Sequence, residues 1–299
     1  TQYLAFRLLD AASGADRLIT LRPPSHLLPH PNKVAWFIHH LRGAFDLWGT
    51  PYQDIPASIE GAGIREALRS ADTAALAECR HLFVNSKVMA SRVASVNGLQ
   101  AKVLYPPLWQ SERFSNLGDD GYFLYVSRIT PHKRQHLAVE AAALMRSHAP
   151  IVIAGPVDPV DQPYLQSIQS RIAALNLSHR VRIESSWISE EQKVQLVGRC
   201  RALLYFPFDE DSYGFPVLEA FSSSKPVVTM SDSGGTLEVI RHAENGLISA
   251  PTPEALAAAL DQLAVPAPAM GAAAAETLSL LRLSWPQCVE ALLDRKSVV

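Results

Sequence analysis

The sequence predicts an α/β protein built from two open parallel sheets. Short β-rich runs alternate with longer helical patterns from one end to the other, the signature of this class. Several runs are near-continuously apolar, as strands covered on both faces by helices must be. Pro106 and Pro107, followed by a polar stretch at 111–120 without apolar periodicity, interrupt the alternation, because proline cannot continue a central strand. With 299 residues and 48% hydrophobic content, two cores can be filled.

In order, the first part (1–117) begins with the helix-like set Tyr3, Leu4, Phe6, Leu8 and Leu9 and offers strands at 17–21, 33–39, 81–84 and 102–105. A proline-rich loop at 23–31 and helical patterns at 64–78 and 86–96 lie between them. The second part (118–283) repeats the alternation with strands at 122–127, 151–154, 181–183, 203–206 and 226–229. Leu137, Ala141 and Leu144, and later Leu256, Leu260 and Leu263, recur at helical spacing. The alanine-rich stretch 264–275 reads as a loop entering a terminal helix, and no internal repeat is visible.

Composition excludes several function classes. No apolar segment is long enough to span a bilayer and no basic-then-apolar leader opens the chain, so it reads as cytoplasmic, with peripheral contact at the inner face of a membrane as the only membrane role. Cys79, Cys200 and Cys288 lie far apart and odd in number, which suggests buried thiols rather than a zinc site or a disulfide framework. A formal net charge of -2 argues against a nucleic-acid partner.

Open parallel sheets bind ligands at the carboxyl ends of their strands, and four such places in the second part carry suitable residues. Arg128 follows the strand at 122–127, and Lys133 or Arg134 stands close behind it; a guanidinium fork and an ammonium could together hold a diphosphate. Gly155 follows the next strand and would let a ligand, or a plain turn, approach the backbone. Asp211 and Glu219, with seven residues between them, place one carboxylate in a loop and the other in the helix after it, where each could accept from vicinal hydroxyls. Gly234, Gly235 and Thr236 precede an expected helix at 237–241, whose opening amides and dipole could cradle phosphate oxygens.

The joint order Ser127-Arg128 … Lys133, Ile153-Ala154-Gly155, Asp211-x7-Glu219 with Gly-Phe-Pro-Val-Leu-Glu-Ala at 214–220, and Ser233-Gly234-Gly235-Thr236-x-Glu238 resembles the retaining glycosyltransferases of family four, which have the GT-B fold. The match runs over 122–260. The resemblance implies two Rossmann-like domains facing across a cleft, with a nucleotide-diphosphate sugar as co-substrate and a sugar, lipid-linked or small-molecule hydroxyl as acceptor. It requires no metal and no protein nucleophile. Arg128 and Lys133 would bind the diphosphate and Glu219 the ribose. Asp211, one methylene shorter than the usual glutamate, would meet the transferred sugar, with Glu210 as the neighbouring alternative. The backbone of Gly214 and Phe215 would face the sugar, and that of Gly234, Gly235 and Thr236 the phosphates.

Less specifically, the first part resembles the same family's acceptor domain. His39, after the strand at 34–38, would line the cleft, Asn85-Ser86-Lys87 looks like a strand-end motif, and Ser284-Trp285 resembles the start of a last helix (284–299) that crosses back. The family's first strand and glycine-rich loop have no counterpart upstream of Tyr3, so the N-terminal domain is expected to be incomplete and to expose a sheet edge. Two rival readings are a non-catalytic nucleotide-sugar-binding protein and a nucleotide-sugar epimerase of the same architecture. A dinucleotide dehydrogenase is remote, since no Gly-x-Gly-x-x-Gly follows a strand.

Overall fold

The computed structural model describes residues 2–293, in two compact units. The chain up to Pro107 together with that from Leu283 forms unit 1, and Leu108–Arg282 forms unit 2. Of the expected last helix, 294–299 lie outside the described residues.

Unit 1 runs α1 (Gln2–Ala5), β1 (Leu18–Thr20), β2 (Lys33–Phe37), α2 (Ile59–Ala77), β3 (His81–Val84), α3 (Lys87–Asn97) and β4 (Lys102–Val103). Its strands lie in the order β1-β2-β3-β4, all parallel. The helices are longer or shifted relative to their apolar periodicity because caps set their ends. The Ser58 hydroxyl accepts from the Gly61 amide at 3.1 Å and starts α2 five residues before the pattern does. Ser86 likewise accepts from the Met89 amide at 2.9 Å, and Gly98 at φ 68° closes α3. β2 ends at Phe37, not at His39, since the chain turns to bury His40 between the Phe37 and Phe45 rings, at 4.9 and 4.8 Å.

Unit 2 continues with β5 (Phe123–Val126), α4 (Gln135–Leu144), β6 (Ile151–Ala154), α5 (Gln162–Ala174), β7 (Val181–Glu184), α6 (Glu190–Arg199), β8 (Ala202–Leu204), α7 (Phe215–Ser222), β9 (Val227–Met230), β10 (Gly246–Ser249), α8 (Pro253–Gln262) and α9 (Pro268–Leu281). All six strands are parallel, in the order β10-β9-β8-β5-β6-β7. Every residue of β5, β6, β8 and β9 is buried, which explains their unbroken apolar character. The polar stretch 111–120 is held on unit 2 by backbone bonds from Leu117 to Gly198 and from Asp120 to Arg199, both 2.9 Å, and by the buried ring of Phe114. The alanine-rich stretch is mostly helix α9 rather than loop; its small residues let Gly271 sit where a Cβ would come within 2.2 Å of the Ser224 carbonyl.

After Arg282, in the left-handed region at φ 47°, α10 (Trp285–Leu293) returns to unit 1. Cys288 and Leu292 pack on Val34, Trp36 and Phe83, while Ala35 and Phe37 on the opposite face of β2 meet Leu76, Met89 and Val93. The period of two in β2 thus supplies both layers of the unit. The three thiols are free, and burial pushes that of Cys200 up to about 12.

Candidate active site

The strand order of unit 2 creates one place suited to a ligand. From β5 the chain moves outward through β6 and β7, and from β8 it moves the opposite way through β9 and β10, so the loops after β5 and β8 diverge at their carboxyl ends. Such a topological switch point opens a crevice between the two halves of a sheet. Lys133 enters it from one side and the loop 205–214 from the other. The Lys133 ammonium donates to the Tyr205 hydroxyl at 3.1 Å, lies 5.1 Å from the Tyr205 ring centroid, and is ion-paired with Glu210. The Tyr205 hydroxyl in turn donates to the Glu210 carboxylate at 3.2 Å.

The structure separates the three basic residues by task. Arg134 is 3% exposed; its guanidinium donates to both Asp232 oxygens at 2.7 and 2.8 Å, to the Phe206 and Pro207 carbonyls at 2.9 and 3.1 Å, and to the Ser233 hydroxyl at 3.3 Å. It ties the loop after β8 to the loop after β9 and has no donor pair left over for a ligand. Arg128 is the opposite case: its guanidinium pairs with Asp158 at 3.0 Å, in an ion pair whose two side chains are more than half exposed. Such a pair is worth about 0–1 kcal/mol and is easily exchanged for another anion.

The two carboxylates lie in different surroundings. Asp211 is buried in the loop before α7, while Glu219, 4% exposed, projects from α7 itself. One Glu219 oxygen accepts from the Lys193 ammonium of α6 at 2.8 Å; the other, Oε2, is buried without a hydrogen-bond partner. Burial raises the Glu219 carboxyl above the usual carboxylate range, and the Lys193 charge counteracts it. Lys193 is not legible in the sequence, where it sits in a Glu-Glu-Gln-Lys run that looks like a solvated helix face. Gly214, at φ 77°, is demanded by packing: a Cβ there would lie 2.3 Å from the Tyr205 ring. Gly214→Ala combines that clash with left-handed strain and should cost about 2 kcal/mol or more, read as a lowered urea midpoint at unchanged slope. Phe215, next to it, is exposed at the start of α7.

Packing within unit 2 accounts for three of the glycines. At Gly155 (φ 144°) a Cβ would come 2.0 Å from the Ser127 carbonyl, so the missing side chain serves the packing of the β5 and β6 ends. Gly234 and Gly235 abut the backbones of Glu210 and Ser212, where a Cβ would approach to 2.5 Å in each case, and the Gly235 amide is committed to the Glu210 carbonyl at 2.8 Å. The helix expected at 237–241 is a 3-10 turn, Gly235–Glu238, ending at Val239. A dipole argument therefore has no α-helix behind it. Thr236 is buried, its hydroxyl bonded to those of Thr229 at 3.0 Å and to the Ser233 carbonyl at 3.2 Å. On unit 1, His39 stands past the end of β2 with its Nδ1 at 2.6 Å from the His40 carbonyl, while His40 is buried against Asn97. Among the described residues, no group of three or more His, Cys, Asp or Glu is arranged to hold a metal ion.

A six-stranded parallel sheet whose strand order reverses between β5 and β8 makes unit 2 a Rossmann-like domain. The chain belongs to the glycosyl transferases group 1 family, whose sequence model matches residues 109–265. It is 26% identical over 215 residues to the alpha-1,3/1,6-mannosyltransferase ALG2 of Homo sapiens, covering 64% of this chain and 50% of that protein. Over 154 residues it is 27% identical to the O-antigen chain mannosyltransferase RfbU of Salmonella typhimurium, covering 50% and 42%. The chain thus spans about half the length of the curated relatives it matches.

Among solved structures it resembles sucrose-phosphate synthase from Thermosynechococcus elongatus, with a TM-score of 0.76, 20% identity, and coverage of 97% of this chain and 75% of that one. It also resembles Anabaena HepE in complex with UDP, with a TM-score of 0.68, 17% identity, and coverage of 90% and 72%. These likenesses bear out the expected α/β fold of two Rossmann-like units, of the GT-B kind.

Proposed function

We propose that the protein transfers a glycosyl unit from a nucleotide-diphosphate sugar to a hydroxyl acceptor, with retention of configuration. The observation that carries the reading is Glu219: a carboxylate buried on α7, with one oxygen fixed by Lys193 and the other lacking a donor. A buried acceptor left unsatisfied costs about 1–3 kcal/mol, and the hydroxyl of a ribose would relieve it. Lys133 and Arg128 take the diphosphate. As the glycosidic bond breaks, negative charge builds on that leaving group, and cations already positioned there stabilise it without reorganising. Lys133 exchanges Glu210 for a phosphate oxygen, and Arg128 gives up an exposed pair that holds it weakly.

Asp211, with the backbone of Gly214 and Phe215, meets the transferred sugar, and the amides of Gly234 and Thr236 supplement the phosphate contacts. His39 belongs to the acceptor side. This scheme needs no metal ion. Relatives named mannosyltransferases make a mannosyl donor the first to try, and a glycan or lipid-linked hydroxyl the first class of acceptor. Work at a membrane face would be peripheral, from the cytoplasmic side; among the described residues no helix is long and apolar enough to cross a membrane.

Calorimetric titration of the chain with UDP, GDP and their glucose and mannose conjugates tests the reading. One nucleotide should bind saturably, Glu219→Ala should weaken it about tenfold or more, and Arg128→Ala less. Saturable binding that is indifferent to Glu219→Ala would sink the assignment of the ribose site, and conversion of the donor with no acceptor present would replace transfer by epimerisation.

A further inference from the structure

Lys193 lies in the middle of α6, where its Nζ reaches Glu219 Oε1 at 2.8 Å and Glu190 Oε1 at 3.0 Å and sits 5.7 Å from the Phe114 ring centroid. Glu190 is more than half exposed and a lysine three residues away on a surface helix would pair with it in any case; the contact to a carboxylate buried on another helix is what needs explaining. Phe114 comes from the stretch 108–120 of unit 2, and its buried ring is within cation–π range of the ammonium. Glu219 is buried, accepts from nothing else, and keeps Oε2 without a partner. A buried carboxylate oxygen without a donor is costly, and a hydroxyl brought by a ligand would satisfy it.

We propose that Lys193 is a positioning residue for the nucleotide site: it clamps one oxygen of Glu219 and so presents the other to the ribose hydroxyls of a nucleoside diphosphate. The proposal rests on the reading of Glu219 given above. The ionisable groups that face Glu219 are few. From α6 they are Lys193 and, beyond it, Glu190; Arg113, in the 3-10 turn packed against α7, is engaged with Glu191 at 2.7 Å. From α9 there is Glu276, exposed and close to Arg241, and β8 and β9 carry no charged residue. Lys193 is therefore the cation that opposes the upward pull of burial on the Glu219 carboxyl. Without it, that carboxyl binds a proton at a higher pH and becomes a poorer acceptor.

The test has two readouts. In calorimetry with UDP and GDP, Lys193→Met should weaken the nucleotide that binds about tenfold at neutral pH, with the loss shrinking as pH rises and Glu219 ionises, whereas Lys193→Arg should stay within about threefold of the parent. In carbon NMR of the Glu219 side-chain carboxyl, with no ligand present, the Lys193→Met titration should move to higher pH. An unmoved Glu219 titration overturns the clamp whether or not any nucleotide binds. If Glu219→Gln weakens the nucleotide while Lys193→Met leaves its affinity and pH dependence intact, the ribose site stands and the role of Lys193 falls. If Glu219→Gln itself changes nothing, it is the underlying reading that has failed.

Discussion

Arg134→Met should destabilise the protein by about 2–4 kcal/mol, the largest stability loss expected of any single change in unit 2. The guanidinium is almost fully buried and makes five hydrogen bonds, two of them a bidentate pair with Asp232. Methionine fills the volume but leaves the Phe206 and Pro207 carbonyls without that donor. Asp232, about one-third exposed, can be rehydrated, which keeps the loss below that of a wholly buried pair. Arg134→Lys should recover less than half, since a compact ammonium cannot serve a carboxylate and two carbonyls spread over the same fork. Urea unfolding at fixed pH decides it: midpoints within error of the parent for both variants would mean that the network adds nothing net. Because the network joins the loops after β8 and β9, the same variant should also widen the spread of loop positions that meet a nucleotide.

The two sheets were legible because burial on both faces writes itself into composition: β5, β6, β8 and β9 are unbroken apolar runs bounded by turn residues. β10 was not, since its run Gly-Leu-Ile-Ser holds only two large apolar residues and opens on Gly246, which is there because a Cβ would meet the Val227 carbonyl at 2.2 Å. The glycines of the site are ambiguous in the sequence for a related reason. A glycine signals that something approaches the backbone, but not what, and at Gly155, Gly234 and Gly235 the approaching group is another stretch of this chain.

Lys133, Asp211 and Glu219 could be picked out by their joint spacing, whereas their partners could not. Lys193 meets Glu219, and Glu210 meets Lys133, across elements that are far apart in sequence, and periodicity carries no record of which polar groups face each other there. Lys133 and Arg134 are adjacent and chemically alike; at the left-handed turn of Arg134 (φ 60°) the two side chains part, Lys133 to Tyr205 and Glu210, and Arg134 to the Phe206 and Pro207 carbonyls and to Asp232.

That division between neighbours leads to the largest effect expected on binding. Lys133→Met should abolish the part of the affinity that a diphosphate adds to a nucleoside, about 10- to 100-fold, the worth of a charge-assisted hydrogen bond of about 1.5–3 kcal/mol. At present the ammonium is held by Glu210 and by the Tyr205 hydroxyl, and the Tyr205 ring supports it from below. Glu210 therefore competes with any phosphate for the same cation, and Glu210→Gln, which removes the competing charge but keeps the shape, should tighten UDP. Arg128→Ala should act in the same direction as Lys133→Met but more weakly and with stronger dependence on salt, since its head group is more than half exposed. Calorimetry with UDP and with uridine, each against parent and Lys133→Met, separates the terms. Loss confined to UDP places the ammonium on the phosphates; equal loss for both ligands would mean that Lys133 supports the crevice through Glu210 and Tyr205 and that another group holds the diphosphate.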